Sequence, residues 1–142
     1  MTGLDANLLV ALAAATHPRH AEAGRVFARD LAAGETMALS PAVAAEFLHV
    51  LSDPRRIIPA PGMAEALAWL EAWVREVAPV WLTADVAAIE LWIRWMKEFH
   101  LGRKRLLDTQ YAALLHIRGV GRLLTNNPDD FRVFGVFELV TF

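Results

Sequence analysis

Short apolar segments alternate with longer segments of helical periodicity along the whole chain, and this alternation is what most constrains its fold. We predict strands at the short segments, which are apolar enough to be buried on both faces: Thr2–Leu4, Met37–Leu39, Val80–Leu82, Arg122–Thr125 and Phe137–Thr141. Strands that alternate with helices favour an α/β fold with a mostly parallel sheet. The length of 142 residues suits one such unit, so we predict a single domain over residues 1–142.

The segments between the predicted strands have the features of helices. Ser40 followed by Pro41 is typical of a helix N-terminus, so we predict a helix from there through about Leu51. Two later helices are indicated by apolar residues that recur on one face, with Thr83 as the possible N-cap of the second. The two apolar stripes are Met63, Leu67, Leu70, Val74 and Val77, and Val86, Ile89, Ile93, Met96 and His100. The other predicted helices are Ala6–Ala15, Pro18–Ala32 and Leu107–Arg118.

The composition excludes several classes of protein. With no cysteine, the chain has neither disulfides nor thiolate metal sites. A hydrophobic fraction of 56% excludes disorder, and no apolar stretch reaches the roughly 18 residues that a membrane span needs. The apolar run after Asp5 has no basic flank, so we predict no signal peptide and a cytoplasmic location. A net charge of −2 leaves any RNA binding to local basic patches and bound cations.

Acidic side chains lie near the carboxyl ends of the predicted strands, where α/β sheets gather their functional residues. Asp5 comes directly after the first strand, Glu46 lies on the helix after the second, and Asp108 opens the helix before the fourth. Asn127 and Asp130 lie in the turn that leaves the fourth strand. We therefore expect oxygen ligands from four segments of the chain to converge at one edge of the sheet.

Each of these residues also has a purely structural interpretation. Asp5 suits an N-cap, and Asp108 suits the first turn of a helix, where the dipole stabilises negative charge. The Asn-Asn-Pro-Asp-Asp turn forms for local reasons. Glu46 is harder to explain in this way, because it is a single charge between apolar neighbours such as Ala45 and Phe47.

Converging carboxylates need compensation. Two like charges about 4 Å apart repel by roughly 1 kcal/mol in water and roughly 4 kcal/mol near a protein surface. Such a cluster raises its own pKa values or recruits a cation. An all-oxygen site without thiolates suits Mg²⁺ or Mn²⁺ better than zinc. These ions activate water and stabilise the charge on a transferring phosphoryl group.

Four segments of the chain resemble the PIN-domain nucleases, and specifically the VapC-like toxins of bacterial toxin–antitoxin pairs. They occur in family order and together span nearly the whole chain: GLDANLLVAL, LSPAVAAEFLHVL, LGRKRLLDTQYAALLHIRGVGRLLTNNPDDF and FELVTF. The resemblance implies a PIN-like three-layer α/β/α sandwich around a mostly parallel five-stranded sheet. It also implies a Mg²⁺-dependent endoribonuclease that hydrolyses RNA phosphodiester bonds with a metal-activated water, and a cognate antitoxin protein as partner.

The family's metal site corresponds here to Asp5, Glu46 and Asp108, so the resemblance implies that these residues are both catalytic and metal-binding. The fourth acidic position of the family matches Asn127, which leaves one negative charge fewer and weakens the case for two ions. Asp130 is a possible substitute ligand.

A basic segment lies just before Asp108 and consists of Arg103, Lys104 and Arg105. Three adjacent cations beside an acidic site suit an RNA backbone, so we predict RNA binding there. The alternative interpretation is a solvated loop with charges at a helix end.

Two pairs of tryptophans lie off the apolar stripes of their helices. Trp69 and Trp73 are four residues apart, and Trp92 and Trp95 are three apart, so each pair shares a helix face. Exposed tryptophans would indicate an interface with a second copy of the chain or with an antitoxin, and we predict a homodimer. The alternative is that these helices are buried on two sides, with the tryptophans in the core.

Three other functions remain as alternatives. A haloacid-dehalogenase-like phosphatase also places an Asp after the first strand. That family has an Asp-x-Asp motif there, whereas Asp5 is followed by Ala6 and Asn7. A receiver domain would need a late strand-end lysine, which the chain lacks. A PIN fold kept only as a non-catalytic binding module is disfavoured by the joint presence of the three carboxylates.

Overall fold

The computed structural model describes all 142 residues and contains a five-stranded sheet in which every neighbouring pair of strands is parallel. The strand order is β3-β2-β1-β4-β5, so β1 lies at the centre between β2 and β4. The first two strands have the predicted bounds, and the other three are shorter than predicted by one or two residues. The strands are β1 (Thr2–Leu4), β2 (Met37–Leu39), β3 (Val80–Trp81), β4 (Arg122–Leu124) and β5 (Glu138–Val140).

Seven helices cover the two faces of the sheet. In chain order they are α1 (Ala6–Ala13), α2 (His20–Ala32), α3 (Pro41–Leu51), α4 (Met63–Val77), α5 (Val86–Glu98), α6 (Leu106–Ile117) and α7 (Pro128–Arg132). Contacts join α1 to α2 and α3, and α3 to α4, in one layer, while α6 contacts both α5 and α7 in the other. The predicted three-layer α/β/α sandwich is confirmed. None of the helices has the length and apolar character needed to cross a membrane.

The start of α3 shows how local sequence sets the position of the site. Ser40 adopts an extended backbone conformation and its Oγ accepts a hydrogen bond from the Val43 N–H at 3.2 Å. Pro41 occupies the first helical position, where its missing N–H costs nothing. The predicted cap is therefore confirmed, and it begins α3 directly after β2.

Gly3 lets α6 pack closely against the central strand. A Cβ atom at Gly3 would come within 2.8 Å of the Leu115 side chain on α6, a distance that no ordinary contact allows. A side chain at this position would force the buried Leu115 side chain to move, and Leu115 lies on the helix that carries one of the predicted site carboxylates, Asp108.

The start of α5 and the turn after β4 differ from the predictions. Asp85, not Thr83, is the N-cap of α5, and its carboxylate accepts a hydrogen bond from the Ala88 N–H at 3.0 Å. Asp85 also pairs with Arg118 at 3.2 Å, which explains why an aspartate fits there. The segment after β4, predicted as a turn, contains the short helix α7 (Pro128–Arg132) with proline in its first turn.

The apolar stripes predicted on α4 and α5 do not all face the core. Val86, Ile89 and Ile93 are exposed on α5, and Met63 and Leu67 are exposed on α4. The tryptophans lie inside instead. Of the two pairs, Trp73 and Trp95 are buried, while Trp69 and Trp92 are half-buried and pack against the core. The core interpretation of these two pairs is therefore correct, and the exposed apolar surface of α4 and α5 is made by smaller side chains.

A charged cluster closes the edge of the sheet at the amino ends of the strands. Asp30, at the end of α2, is buried, and its carboxylate accepts a hydrogen bond from Arg122 of β4 at 2.6 Å. Arg122 also donates to Thr2 Oγ1, at 3.1 Å, and lies 3.3 Å from Glu138. Burial alone would raise the pKa of Asp30, but the hydrogen bonds from Arg122 and Arg29 lower it overall.

Candidate active site

Asp5 lies at the carboxyl end of the central strand and is held from two directions. Its backbone N–H donates to the Leu124 carbonyl at 3.1 Å, which ties it to the end of β4. Its carboxylate Oδ2 accepts hydrogen bonds from the Thr125 hydroxyl at 2.5 Å and from Asn7 Nδ2 at 2.8 Å. Although Asp5 occupies the N-cap position of α1, its side chain makes no capping hydrogen bond. The side chains of Thr125 and Asn7 therefore orient the carboxylate.

The residues that hold Asp5 are themselves fixed by the turn after β4. The Thr125 hydroxyl accepts a hydrogen bond from the Asn127 N–H at 3.0 Å, and the Asn7 side-chain oxygen accepts one from the Asn126 N–H at 3.1 Å. This turn was predicted only as a source of ligands. It also orients Asp5 through Thr125 and Asn7, two residues that the sequence-based set of site residues did not include.

The structure brings Asp5, Glu46 and Asp108 to the same edge of the sheet. All three line a cavity of about 260 Å³ between α3 and α6, and all three also line a second cavity of about 290 Å³ that extends toward α1. Glu46 is on the exposed face of α3, so it is not a charge buried among apolar neighbours. The predicted convergence at this edge is what the geometry shows.

Crowding and burial raise the pKa of Asp108 to about 6. Burial contributes most, and the negative charges of Asp130 and Asp5 add to it, while Arg105 acts in the opposite direction. A carboxyl group with this pKa binds a proton or a cation more readily than an isolated one.

The pKa of Glu46 is also raised. Although the residue is on the exposed face of α3, the walls of the two cavities partly desolvate its carboxyl group, and the charges of Asp5 and Asp108 add to this effect. Arg56 and His49 oppose this shift. Burial raises the pKa of Asp5 as well, despite the hydrogen bonds from Thr125 and Asn7. All three predicted metal ligands are therefore destabilised in their charged form, and a bound cation would offset this cost.

The two residues predicted as additional ligands, Asn127 and Asp130, line the second cavity together with the three carboxylates. Arg105 lies between Asp130 and Asp108, with its Nε 3.5 Å from the first carboxylate and 3.8 Å from the second. Its guanidinium also donates to the Asp130 backbone carbonyl. Arg105, one of the three residues predicted to bind RNA, forms ion pairs with two site carboxylates, and its contact with RNA stays a prediction. Exposed Arg103 and Lys104 make no such contact.

The chemical type of the candidate ligands suits Mg²⁺ or Mn²⁺, because each of them offers an oxygen atom. No three His, Asp or Glu side chains are close enough together to hold an ion directly. Mg²⁺ usually keeps several of its waters and uses one or two carboxylates. The residues therefore fit a hydrated ion that Asp5, Glu46 and Asp108 would hold partly through water.

The raised pKa of Asp108 predicts that this residue lowers the stability of the metal-free protein. The folded pKa of about 6 lies above the ordinary 3.8, so ionisation costs free energy in the folded state as the pH rises from about 4 past 6. We expect Asp108→Asn to stabilise the protein above pH 7 by about 1 kcal/mol, a discounted figure because water screens this half-exposed side chain. Urea unfolding with EDTA measures the difference, which should vanish below pH 4. A variant less stable than wild type at both pH values would contradict this explanation.

An all-parallel α/β/α sandwich with carboxylates at the carboxyl ends of its central strands defines a class of proteins with acidic, oxygen-donor sites. Within that class, the sequence model of the PIN domain matches residues 4–136, and the chain belongs to the PIN-domain family. This membership excludes the haloacid-dehalogenase-like and receiver folds considered above. A sequence search among curated proteins gives no significant match.

Three solved structures that are similar to this chain are VapC or VapBC proteins. VapC20 from Mycobacterium tuberculosis, described as a Sarcin–Ricin loop cleaving toxin, has a TM-score of 0.64 and 20% identity over 97% of this chain and 98% of its own. VapBC2 from Rickettsia felis, bound to a promoter DNA fragment, has a TM-score of 0.68 and 15% identity over 99% and 98%. VapBC-1 from nontypeable Haemophilus influenzae has a TM-score of 0.68 and 14% identity over 99% and 96%. At these identities the likeness establishes the fold.

Proposed function

We propose that this protein is a divalent-metal-dependent endoribonuclease that acts as the toxin of a toxin–antitoxin pair. The observation that supports this most is the convergence of Asp5, Glu46 and Asp108 on shared cavities at the carboxyl edge of a PIN sheet. The RNA cleavage ascribed to the Mycobacterium tuberculosis neighbour supports the choice of substrate.

The metal ion and the carboxylates of the site would have different roles in phosphodiester hydrolysis. A bound Mg²⁺ or Mn²⁺ would supply positive charge for the transferring phosphoryl group and lower the pKa of an attacking water. Asp5, held by Thr125 and Asn7, keeps one carboxylate in fixed orientation at the centre of the sheet. Asp108 is mostly ionised above its pKa of about 6, and so it is ready to bind a cation at neutral pH.

The proposal includes the partners predicted from the sequence: an RNA substrate, a cognate antitoxin protein and a second copy of the chain, in the cytoplasm. Two of the similar structures are VapBC proteins, which supports an antitoxin. The exposed side chains Val86, Ile89 and Ile93 on the outer face of α5 are an apolar surface that a second copy could cover.

Cleavage of a mixed pool of structured RNAs by the purified protein tests the function. We expect cutting with Mg²⁺ or Mn²⁺, none with EDTA, and a loss with Asp108→Asn, because an amide cannot provide the charge that holds the ion. Cutting that survives both EDTA and the substitution would refute the metal site. Metal binding without any cutting would favour the alternative, a PIN fold that serves as a binding module.

A further inference from the structure

The two cavities that meet at the carboxylates differ in their walls. The cavity of about 260 Å³ is lined mainly by apolar side chains, including Val43, Leu82, Leu107 and Leu114. The cavity of about 290 Å³, called here the polar cavity, is lined by four carboxylates, two asparagines, His17 and Arg56 along with a few apolar residues. Arg56 is the only arginine or lysine in this lining, so it dominates the positive charge that a ligand would meet there.

The backbone holds Arg56 at the rim of the polar cavity. The Asp53 carbonyl accepts hydrogen bonds from the N–H groups of Arg56 at 2.9 Å and Ile57 at 3.0 Å. The Ile57 side chain is buried in the core, so the residue after Arg56 is anchored. The Arg56 side chain itself is 60% exposed, and its Nε forms an ion pair with the Asp53 carboxylate at 3.8 Å, beyond hydrogen-bond distance. The guanidinium donates no hydrogen bond within the protein, so its N–H groups can bind a ligand.

The neighbouring arginine behaves differently. Arg55 uses its backbone N–H, its Nε and its Nη2 on the Asp53 carboxylate, at 2.9, 3.0 and 3.1 Å. It does not line the polar cavity. The strong pairing with Arg55 lowers the pKa of Asp53 to about 2. Because Arg55 donates hydrogen bonds to both carboxylate oxygens, Asp53 holds the Arg56 guanidinium only through the longer ion pair at 3.8 Å.

We propose that Arg56 binds an RNA phosphate in the polar cavity, next to the phosphate that is cleaved at the carboxylates. This inference rests on the proposed function and adds a substrate contact to it. RNA that approaches four carboxylates in a protein of net charge −2 needs a local cation. Arg105, another arginine near the carboxylates, is less exposed, donates a hydrogen bond to the Asp130 carbonyl and pairs with both Asp108 and Asp130.

His17 provides a second donor in the lining of the polar cavity. Its Nδ1 accepts a hydrogen bond from the Arg19 N–H at 3.1 Å. In the neutral imidazole the proton is therefore on Nε2, which can donate to a phosphate oxygen. Arg56 and His17 can therefore bind successive phosphates of an RNA strand that extends from the cleaved bond into the polar cavity.

The test measures binding without cleavage, so that it does not depend on catalysis. In an Asp108→Asn parent with Mg²⁺ present, the affinity for a short fluorescent single-stranded RNA of mixed sequence is measured over a range of salt concentrations. Adding Arg56→Ala should weaken binding about tenfold and reduce the slope of log affinity against log salt by about 0.7, the value for one lost phosphate contact. Adding Arg55→Ala, the matched control, should change affinity less than about twofold.

Further outcomes decide between this proposal and the function on which it rests. Arg56→Lys should recover part of the affinity, since it keeps the charge and loses the planar fork, and thermal unfolding should show Arg56→Ala as stable as its parent. Equal effects of the two alanine substitutions, an unchanged salt slope, or a parent that binds no RNA would overturn the role of Arg56. RNA binding that depends on Arg56 in a protein that cuts nothing would instead refute the nuclease and leave the contact standing. In the active enzyme, Arg56→Ala should raise KM with little change in kcat.

Discussion

Asp5→Asn is expected to lower RNA cleavage by at least about 10³-fold while leaving the fold intact. The substitution removes the charge of the central carboxylate but keeps its shape. The Asn side-chain oxygen can still accept the hydrogen bonds that Thr125 and Asn7 now donate to Oδ2. Because burial raises the pKa of Asp5, a neutral side chain there should not reduce stability. Single-turnover cleavage at saturating Mg²⁺ and thermal unfolding measure the two effects.

Thr125→Val tests how much the orientation of Asp5 contributes, because it keeps the charge of Asp5 and removes one hydrogen bond that orients the carboxylate. Valine has the shape of threonine but cannot donate to Asp5 or accept from the Asn127 N–H. Partners that orient a metal ligand typically contribute 10–100-fold in metal affinity or activity, so we expect a loss of about that size, partly recovered at high Mg²⁺. If Asp5→Asn cuts RNA as fast as wild type, the central carboxylate does not bind the ion. If Thr125→Val cuts RNA as fast as wild type while Asp5→Asn does not, the Thr125 hydroxyl does not orient Asp5 for catalysis.

The sequence predicts the position of Asp5 but not its partners. A carboxylate after the first strand of a parallel sheet must lie at the carboxyl edge, whichever strands flank it. Thr125 becomes its neighbour only because β1 and β4 pair with Leu4 opposite Leu124, which places the next residue of each strand side by side. Apolar periodicity identifies strands, but it does not fix which strands pair or in what register.

The helices show a second limit of sequence patterns. On α5 the predicted stripe and the tryptophan pair occupy different faces, and both are apolar, so hydrophobicity alone cannot tell which face meets the sheet. The structure buries Trp95 against Phe134, with ring centroids 4.7 Å apart, and leaves Ile93 exposed. The larger aromatic side chains bury more area per residue, which favours the observed orientation.

The basic residues of the site are the least predictable part. Arg105 looks like an RNA contact beside Lys104 in the sequence, and it pairs with Asp130 only because α7 folds back toward α6. Arg56 lies in a proline-containing loop whose path no periodicity describes. Its place beside the carboxylates depends on the burial of Ile57 and on the backbone hydrogen bonds to the Asp53 carbonyl.

Arg122→Met is expected to destabilise the protein by about 3 kcal/mol, equivalent to a fall of roughly 10 °C in Tm. Asp30 has a side chain only 5% exposed and Arg122 one 19% exposed, so the substitution leaves a buried carboxylate with only the more exposed Arg29 as partner. Removing one member of a buried pair costs more than the pair contributes, because the remaining charge is no longer compensated. Urea unfolding near neutral pH measures the loss.

The matched control is Arg132→Met, because the pair of Arg132 with Asp129 lies at the surface, with side chains 70% and 83% exposed. That substitution should cost less than about 1 kcal/mol.

The effect of Arg122→Met should also depend on pH. Arg122 helps to lower the pKa of Asp30 in the folded protein, so the pair stabilises the fold above about pH 4 and this contribution is lost as the pH falls further. Without Arg122, burial raises the pKa of Asp30. The variant therefore protonates Asp30, and loses the cost of its buried charge, at a higher pH than wild type does. The difference between wild type and variant should therefore shrink in acid, and an equal loss at every pH would show that Arg122 acts through packing and not through the charge of Asp30.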